Sequence, residues 1–347
     1  MKESPVSSEA ILTVENLKVH FHTLRGIVHA LEGVSFFINR QETLGLAGET
    51  GCGKSVTARS ILRLIDPPGR IVEGRIFFEG SNLLKLDDAA VRTIRGSEIS
   101  MIMQEPKMSL NPVIRVGDQV AETLLIHGRG LNRRSAREQA QEMLAEMGIA
   151  DARRVSRRYP HELSGGMAQR IMIAMMLVTR PKLLIADEPT SALDVTIQAQ
   201  ILALMAKLVR DIQTSVLMIT HDLGVMAETC DRVAVMYAGN IVEMGTVGMV
   251  LKDPQHPYTQ SLLQTVPDKA NPDQPLFSIK GNVPSLLEPQ SCCRFADRCQ
   301  FVMDRCRREI PPIYVLENDH QAACFLHDGQ AISVMPYNNH SQRHQAS

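Results

Sequence analysis

The chain has no tryptophan, and aromatic residues make up only 4% of its 347 positions. Its core must therefore be filled by aliphatic side chains and by methionine, of which there are 18. Net charge is nearly absent as well. Against 37 Lys and Arg stand 38 Asp and Glu, a formal −1, so no bulk field favours nucleic acid or an anionic membrane. Long apolar runs are missing. The longest, Ile171 to Val178, falls far short of the roughly 20 residues a helix needs to cross a bilayer. The first residues (MKESPVSSEA) hold no apolar signal region. The expectation is a cytoplasmic protein whose membrane contact passes through partners. The cysteines lack the paired C-x2-C spacing of common zinc modules. Cys52 and Cys230 stand alone, while Cys292, Cys293, Cys299, Cys306 and Cys324 crowd one region. In a reducing compartment such crowding suggests metal rather than disulfides, the competing reading being buried thiols packed as small hydrophobes.

What is present is organised around Gly48-Glu49-Thr50-Gly51-Cys52-Gly53-Lys54-Ser55. This is the G-x-x-x-x-G-K-[ST] pattern of a phosphate-binding P-loop. Its flanks fit: Glu42 to Ala47 reads as a buried strand, and Ser55 to Ile65 as a helix with apolar residues at helical spacing. The glycines let backbone N–H groups wrap a phosphate chain at a helix N-terminus. Lys54 would reach the β- and γ-phosphates, and the Ser55 hydroxyl would ligate Mg²⁺.

Around this centre strands alternate with helices. Ile11 to Phe21, Val34 to Asn39, Gly74 to Glu79, Glu98 to Met103, Leu183 to Ala186, Ser215 to Thr220, Arg232 to Met236 and Ile241 to Met244 read as strands, with Gly33 marking a turn. Val116 to His127, Ser135 to Met147, Gly165 to Val178 and Thr196 to Asp211 carry helical spacing. The pattern predicts an α/β fold with a parallel sheet and an inserted helical block near 105–180. Residues 1–9 read as a polar tail and 10–253 as the domain built around the P-loop. A small Pro- and Cys-rich C-terminal domain is expected over 254–330, then a polar tail over 331–347.

Further residues point to nucleotide chemistry. Leu183 to Ala186 delivers Asp187 and Glu188 to the sheet's C-terminal edge, where Asp187 would hold Mg²⁺ and Glu188 would polarise the attacking water. As a bare pattern, an ordinary solvated acidic pair fits equally well. Leu163-Ser164-Gly165-Gly166-Met167 opens an apolar helix. Ser164 is suited to capping it, and the glycines leave amides for an anion. Gln104 follows a strand at a loop entry, placed either to meet Mg²⁺ or γ-phosphate or, as loop glutamines commonly are, to be solvated. His221 ends another strand, and Ser191 to Asp194 either line a dimer seam or open the next helix.

In their order, these segments resemble the Walker A motif, Q-loop, signature motif, Walker B motif, D-loop and H-loop of the nucleotide-binding subunits of ABC transporters. The resemblance covers roughly residues 10–260. It implies ATP and Mg²⁺ as ligands and Gln104, Glu188 and His221 as catalytic residues. It further implies that Thr57 joins the ATP site, that Phe21 stacks on adenine, and that Ser164, Gly165, Gly166 and Met167 contact the partner's ATP across a seam that includes Asp194. Met167 in place of the usual Gln, with Ser109-Leu110-Asn111-Pro112 and His256-Pro257-Tyr258-Thr259, is similar to the oligopeptide/dipeptide importer branch, which also carries nickel. Ala168 and Glu105 depart from that branch's usual Arg and Asp. Cys293 to Cys299 (CRFADRC) resembles the branch's C-terminal segment, which implies a [4Fe–4S] cluster on Cys293, Cys299, Cys306 and Cys324. The implied partners are a second related ATPase subunit, two transmembrane permeases and an extracytoplasmic solute-binding protein, with no nucleic acid. The implied place is the cytoplasmic face of the membrane, peripherally bound. The alternative is a soluble ABC-type ATPase acting on nucleic acid or ribosomes.

Overall fold

The computed structural model of the chain describes residues 9–104, 109–128, 130–191, 193–265 and 277–335. The expectations for most of the N-terminal tail, for Glu105, for Ala192 and for the polar end beyond residue 335 lie outside the described residues.

Two sheets form the frame. β1 (Ala10–Thr23), β2 (Gly26–Asn39), β4 (Gly69–Phe78) and β5 (Ser81–Asn82) make an antiparallel sheet in the order β2-β1-β4-β5. The larger sheet contains β3 (Thr43–Ala47), β6 (Ile99–Ile102), β7 (Leu183–Asp187), β8 (Ser215–Ile219), β9 (Arg232–Tyr237) and β10 (Asn240–Thr246). β9, β3, β8, β7 and β6 run parallel in that order, and β10 adds to β9 antiparallel.

A parallel strand covered on both faces reads as a continuous apolar run, and period-2 alternation divides its side chains between the two covers. Leu184, Ala186, Val216, Met218, Val233 and Val235 pack into the core shared with the helices. Their neighbours Leu183, Ile185, Leu217, Ile219, Ala234 and Met236 pack into the core shared with the antiparallel sheet. The inserted block holds helices Val116–His127, Arg133–Glu146, Ala152–Val155 and Gly165–Leu177. It shares the first of these cores through Val120, Leu124, Leu144 and Ile171.

β2 and β4 run longer than the pattern predicts. Gly33 is not a turn before a strand but lies inside one, and β4 begins before Gly74 rather than at it. Both glycines have left-handed φ, 91° and 117°, and the register of β1 slips near them. These are bulges, which absorb an extra residue and increase twist. At Gly74 a Cβ would stand 2.7 Å from Leu17 Cα.

The C-terminal region does not stand apart from the central sheet. β12 (Gln321–Ala322) pairs with β10, and β11 (Ile313–Val315) and β13 (Ser333–Met335) follow. Strands this short carry no readable period. Its own core among the described residues is small: Ala296, Cys306, Tyr314 and Phe325.

Candidate active site

β3, β7 and β8 are adjacent and parallel, so their C-terminal ends bring three chain segments to one edge of the sheet. The P-loop leaves β3, Asp187 and Glu188 close β7, and His221 follows β8.

Backbone geometry shapes the P-loop. Gly48 and Gly53 have φ of 144° and 112°, and a Cβ would lie 2.2 Å from Met236 O at the first and 2.7 Å from Leu31 Cδ2 at the second. At Gly48 a Cβ would collide with backbone, and at both positions the left-handed φ disfavours any other residue. Helix Lys54–Ile61 follows directly. Lys54 is buried, and its ammonium donates to Gly48 O at 2.7 Å and Glu49 O at 3.1 Å. Thr50 and Gly51 are exposed at the loop's tip. Cys52 is buried against Lys54 Nζ, and burial raises its thiol pKa. Thr57 is fully buried with its hydroxyl donating to Gly53 O at 3.0 Å, so it supports the loop from within.

Asp187 is buried and hydrogen-bonded to the Ser55 side chain. Burial raises its carboxyl above the usual range, and the nearby Glu188 charge adds to this. The Ser55 bond and the charges of Lys54 and Arg59 act the other way. Carboxylate and hydroxyl side by side supply two oxygen ligands for a hard cation, which suits Mg²⁺.

Glu188 turns out of β7 with a left-handed φ of 48°. A non-glycine residue held there is strained, and its N–H is fixed by Ile219 O at 2.8 Å. One carboxylate oxygen accepts from Gln104 Nε2 at 3.0 Å, and the other lies 3.2 Å from His221 Nδ1. The sequence separates these residues by 84 and 33 positions; the fold places them around one carboxylate.

Ser164 caps helix Gly165–Leu177, its hydroxyl accepting from Met167 N at 3.4 Å, and it remains exposed. Gly166 packs closely: a Cβ there would lie 3.0 Å from Ile197 Cγ2 in helix Val195–Asp211. Asp194 is exposed and caps that helix through Ile197 N at 3.0 Å. Phe21 lies on β1 opposite Gly69, where a Cβ would come within 2.6 Å of its ring. Neither Phe21 nor the signature segment shares a hydrogen bond with the P-loop among the described residues.

The sequence did not single out Gln169, Tyr258 as a P-loop contact, or Arg298. Gln169 is buried in an apolar helix and donates to Pro189 O, tying the signature helix to the turn after Glu188. A buried amide in an apolar run signals a specific partner. Tyr258 Oη accepts from Glu49 N at 2.9 Å, and Arg298 pairs with the Glu49 carboxylate at 2.8 and 3.0 Å. The latter link joins residues 249 positions apart, beyond any local pattern.

The four expected cluster cysteines, Cys293, Cys299, Cys306 and Cys324, line one small cavity with Phe295 and Phe325. Burial pushes the Cys293 thiol up to about 12 and Cys324 to about 11. They are not gathered tightly enough for a single ion. Among the described residues, the group with three ligand atoms within 4.8 Å of one another is His20, His29 and Glu32.

Residues 31–191 match the family model described as ABC transporter, and residues 242–306 match that of the oligopeptide/dipeptide transporter C-terminal region. The "Probable peptide ABC transporter ATP-binding protein y4tR" of Sinorhizobium fredii is 50% identical over 94% of this chain and 97% of its own. The "Dipeptide transport ATP-binding protein DppD" of Bacillus subtilis is 47% identical over 93% of this chain and 96% of its own. This chain belongs to the peptide-importer branch of the ABC transporter ATP-binding subunits. Its cassette resembles the dimeric ATP-binding cassette MJ0796, solved bound to ADP and Pi in a post-hydrolysis state, with TM-score 0.62 and 26% identity. That match covers 68% of this chain and 98% of the other. The ABC subunit is thus an ATPase coupled to transport, and no described helix is long and apolar enough to cross a membrane.

Proposed function

We propose that this subunit hydrolyses ATP to energise the import of di- or oligopeptides, with Glu188 polarising the attacking water. One observation carries the assignment of Glu188: it is strained at the end of β7, bracketed by Gln104 and His221, and adjacent to the Asp187–Ser55 pair. In this reading Lys54 and the P-loop amides bind the phosphates. Ser55, Asp187 and Gln104 serve Mg²⁺, and Phe21 serves the adenine.

The exposed cap of Ser164, with Gly165, Gly166 and Met167, would contact ATP held by a second, related ATPase subunit, with Asp194 at the seam. The helical block offers Val113 and Ile126, 78% and 68% exposed, to two transmembrane permeases. An extracytoplasmic binding protein would deliver the solute, and the subunit would sit peripherally on the cytoplasmic face of the membrane.

Residues 254–330 form the importer-type C-terminal region in this reading. The reading rests on four cysteines lining one small cavity, thiolate being the usual ligand of iron–sulfur clusters. Cys293, Cys299, Cys306 and Cys324 would hold a [4Fe–4S] cluster there, which would cross-link a segment with little core of its own.

Glu188→Gln tests the catalytic assignment. It should retain ATP binding and lower turnover of the assembled transporter by about 10²-fold or more, as expected when a transition-state interaction alone is removed. Turnover within about threefold of wild type would falsify the role.

A further inference from the structure

Glu49 is the first residue after Gly48 in the P-loop, and its charge opposes the loop's task. A loop that binds polyphosphate gains from N–H dipoles and a lysine; a carboxylate built into it repels the same ligand. The fold answers this with a residue from the far end of the chain. Arg298 donates from Nη1 to one Glu49 oxygen at 2.8 Å and from Nη2 to the other at 3.0 Å, a two-pronged pairing. The Arg298 side chain is 5% exposed and that of Glu49 27%, so solvent screens the pair only in part.

Its remaining donors are also engaged, with Tyr237 Oη at 3.3 Å, Ile279 O at 3.3 Å and Lys280 O at 3.1 Å. The guanidinium lies 5.7 Å from the Tyr237 ring centre. The Glu49 main chain is tied separately by Tyr258 Oη. Arg298 is therefore fixed on several sides and presents a held positive charge to one acid of the P-loop.

We propose that Arg298 is a positioning residue of the nucleotide site, supplied by the C-terminal segment, which neutralises Glu49 so that the P-loop accepts a polyphosphate. This rests on the reading of the P-loop as the ATP site. A mere brace would suffer alike from loss of either partner. Charge masking is asymmetric: Glu49 left alone repels phosphate, whereas Arg298 left alone does not.

The test is equilibrium binding of a fluorescent ATP analogue with Mg²⁺ to the full-length protein, with a thermal melt of each variant. Arg298→Gln should weaken binding about tenfold or more, and the deficit should shrink as salt rises. Adding Glu49→Gln to Arg298→Gln should recover much of the loss, the double variant binding at least about threefold tighter than Arg298→Gln. Arg298→Lys keeps the charge while losing the fork, and should stay within about threefold of wild type. It carries the test if Arg298→Gln does not fold, and a tenfold loss in Arg298→Lys would then overturn the masking role. So would a double variant as weak as Arg298→Gln, or an Arg298→Gln that binds like wild type. Wild type that binds no better than Lys54→Ala would instead overturn the ATP-site reading itself.

Discussion

The nucleotide edge and the C-terminal segment are built by different means. At the nucleotide edge, adjacent parallel strands buried on both faces bring Ala47, Asp187 and Ile219 to one rim. The reactive side chains then need only short hydrogen bonds to be aimed. Over residues 277–335 there is no such frame. The segment is made of single turns of three or four residues, strands of two or three, and irregular chain between them. Four buried residues make its own core, and it is fastened by separate ties: β12 to β10, Arg298 to Glu49, and Phe295 among Tyr237, Tyr258 and His256. A sheet positions residues as a by-product of its stability. A tied segment depends on each tie, so single substitutions should act more strongly there.

The largest effect should come from Phe295, which is 2% exposed and meets Tyr237 and Tyr258 with ring centres 5.2 and 5.4 Å away. Phe295→Ala should cost about 3–5 kcal/mol in a denaturant melt, the range for a large buried aromatic. Limited proteolysis should then cut first within 277–335. Ile185→Val, at the centre of β7 in the nucleotide-edge sheet, should cost only about 0.5–1.5 kcal/mol and leave cleavage unchanged. Cleavage of Phe295→Ala that begins outside 277–335 would erase the contrast.

The same contrast governs what the sequence could convey. The P-loop, the β7 carboxylates and the helical block were legible because each is a local pattern: glycines at fixed offsets, an apolar run with acids at its end, apolar residues at helical spacing. The convergence of Gln104, Glu188 and His221 was legible only through their order. Gly33 and Gly74 misled because an isolated glycine signals a turn and a bulge equally well. The Arg298–Glu49 pair and the addition of β12 to β10 had no local signature at all, while Gln169, an amide within an apolar helix, signalled a partner without naming it. The pair and the added strand each join segments whose separate sequences look like ordinary surface or loop.

An intermediate effect is expected at Ser164, which caps its helix yet stays exposed. Ser164→Ala should cost about 1 kcal/mol of stability, the usual worth of such a cap. Ser164→Arg should leave ATP binding by the isolated subunit intact and remove the hydrolysis that depends on pairing with the second subunit. A thermal melt beside an ATPase assay on the assembled transporter separates the two roles. Normal hydrolysis in Ser164→Arg would reduce Ser164 to a cap and confine the nucleotide edge to one subunit.

The smallest effect is a pH response at the seam between the two regions. His29 N donates to Leu286 O of the C-terminal segment at 2.7 Å, and Glu32 N donates to Gly239 O at 3.0 Å, beside the P-loop's own contact with Gly239. Burial alone would raise the Glu32 carboxyl, but hydrogen bonds with His29 and His20, at 2.8 and 2.6 Å, and their charges outweigh it and hold it below its ordinary value of 4.5. An acid with a lowered folded-state pKa binds fewer protons folded than unfolded. Its contribution is fully present above the unfolded value and is lost as pH falls through the folded one. Stability should therefore decline below about pH 4.5 as Glu32 takes up a proton. Glu32→Gln should flatten that part of the profile. An unaltered acid limb in Glu32→Gln would move the acid sensitivity away from the seam, to carboxylates such as Glu79 that are paired elsewhere on the surface.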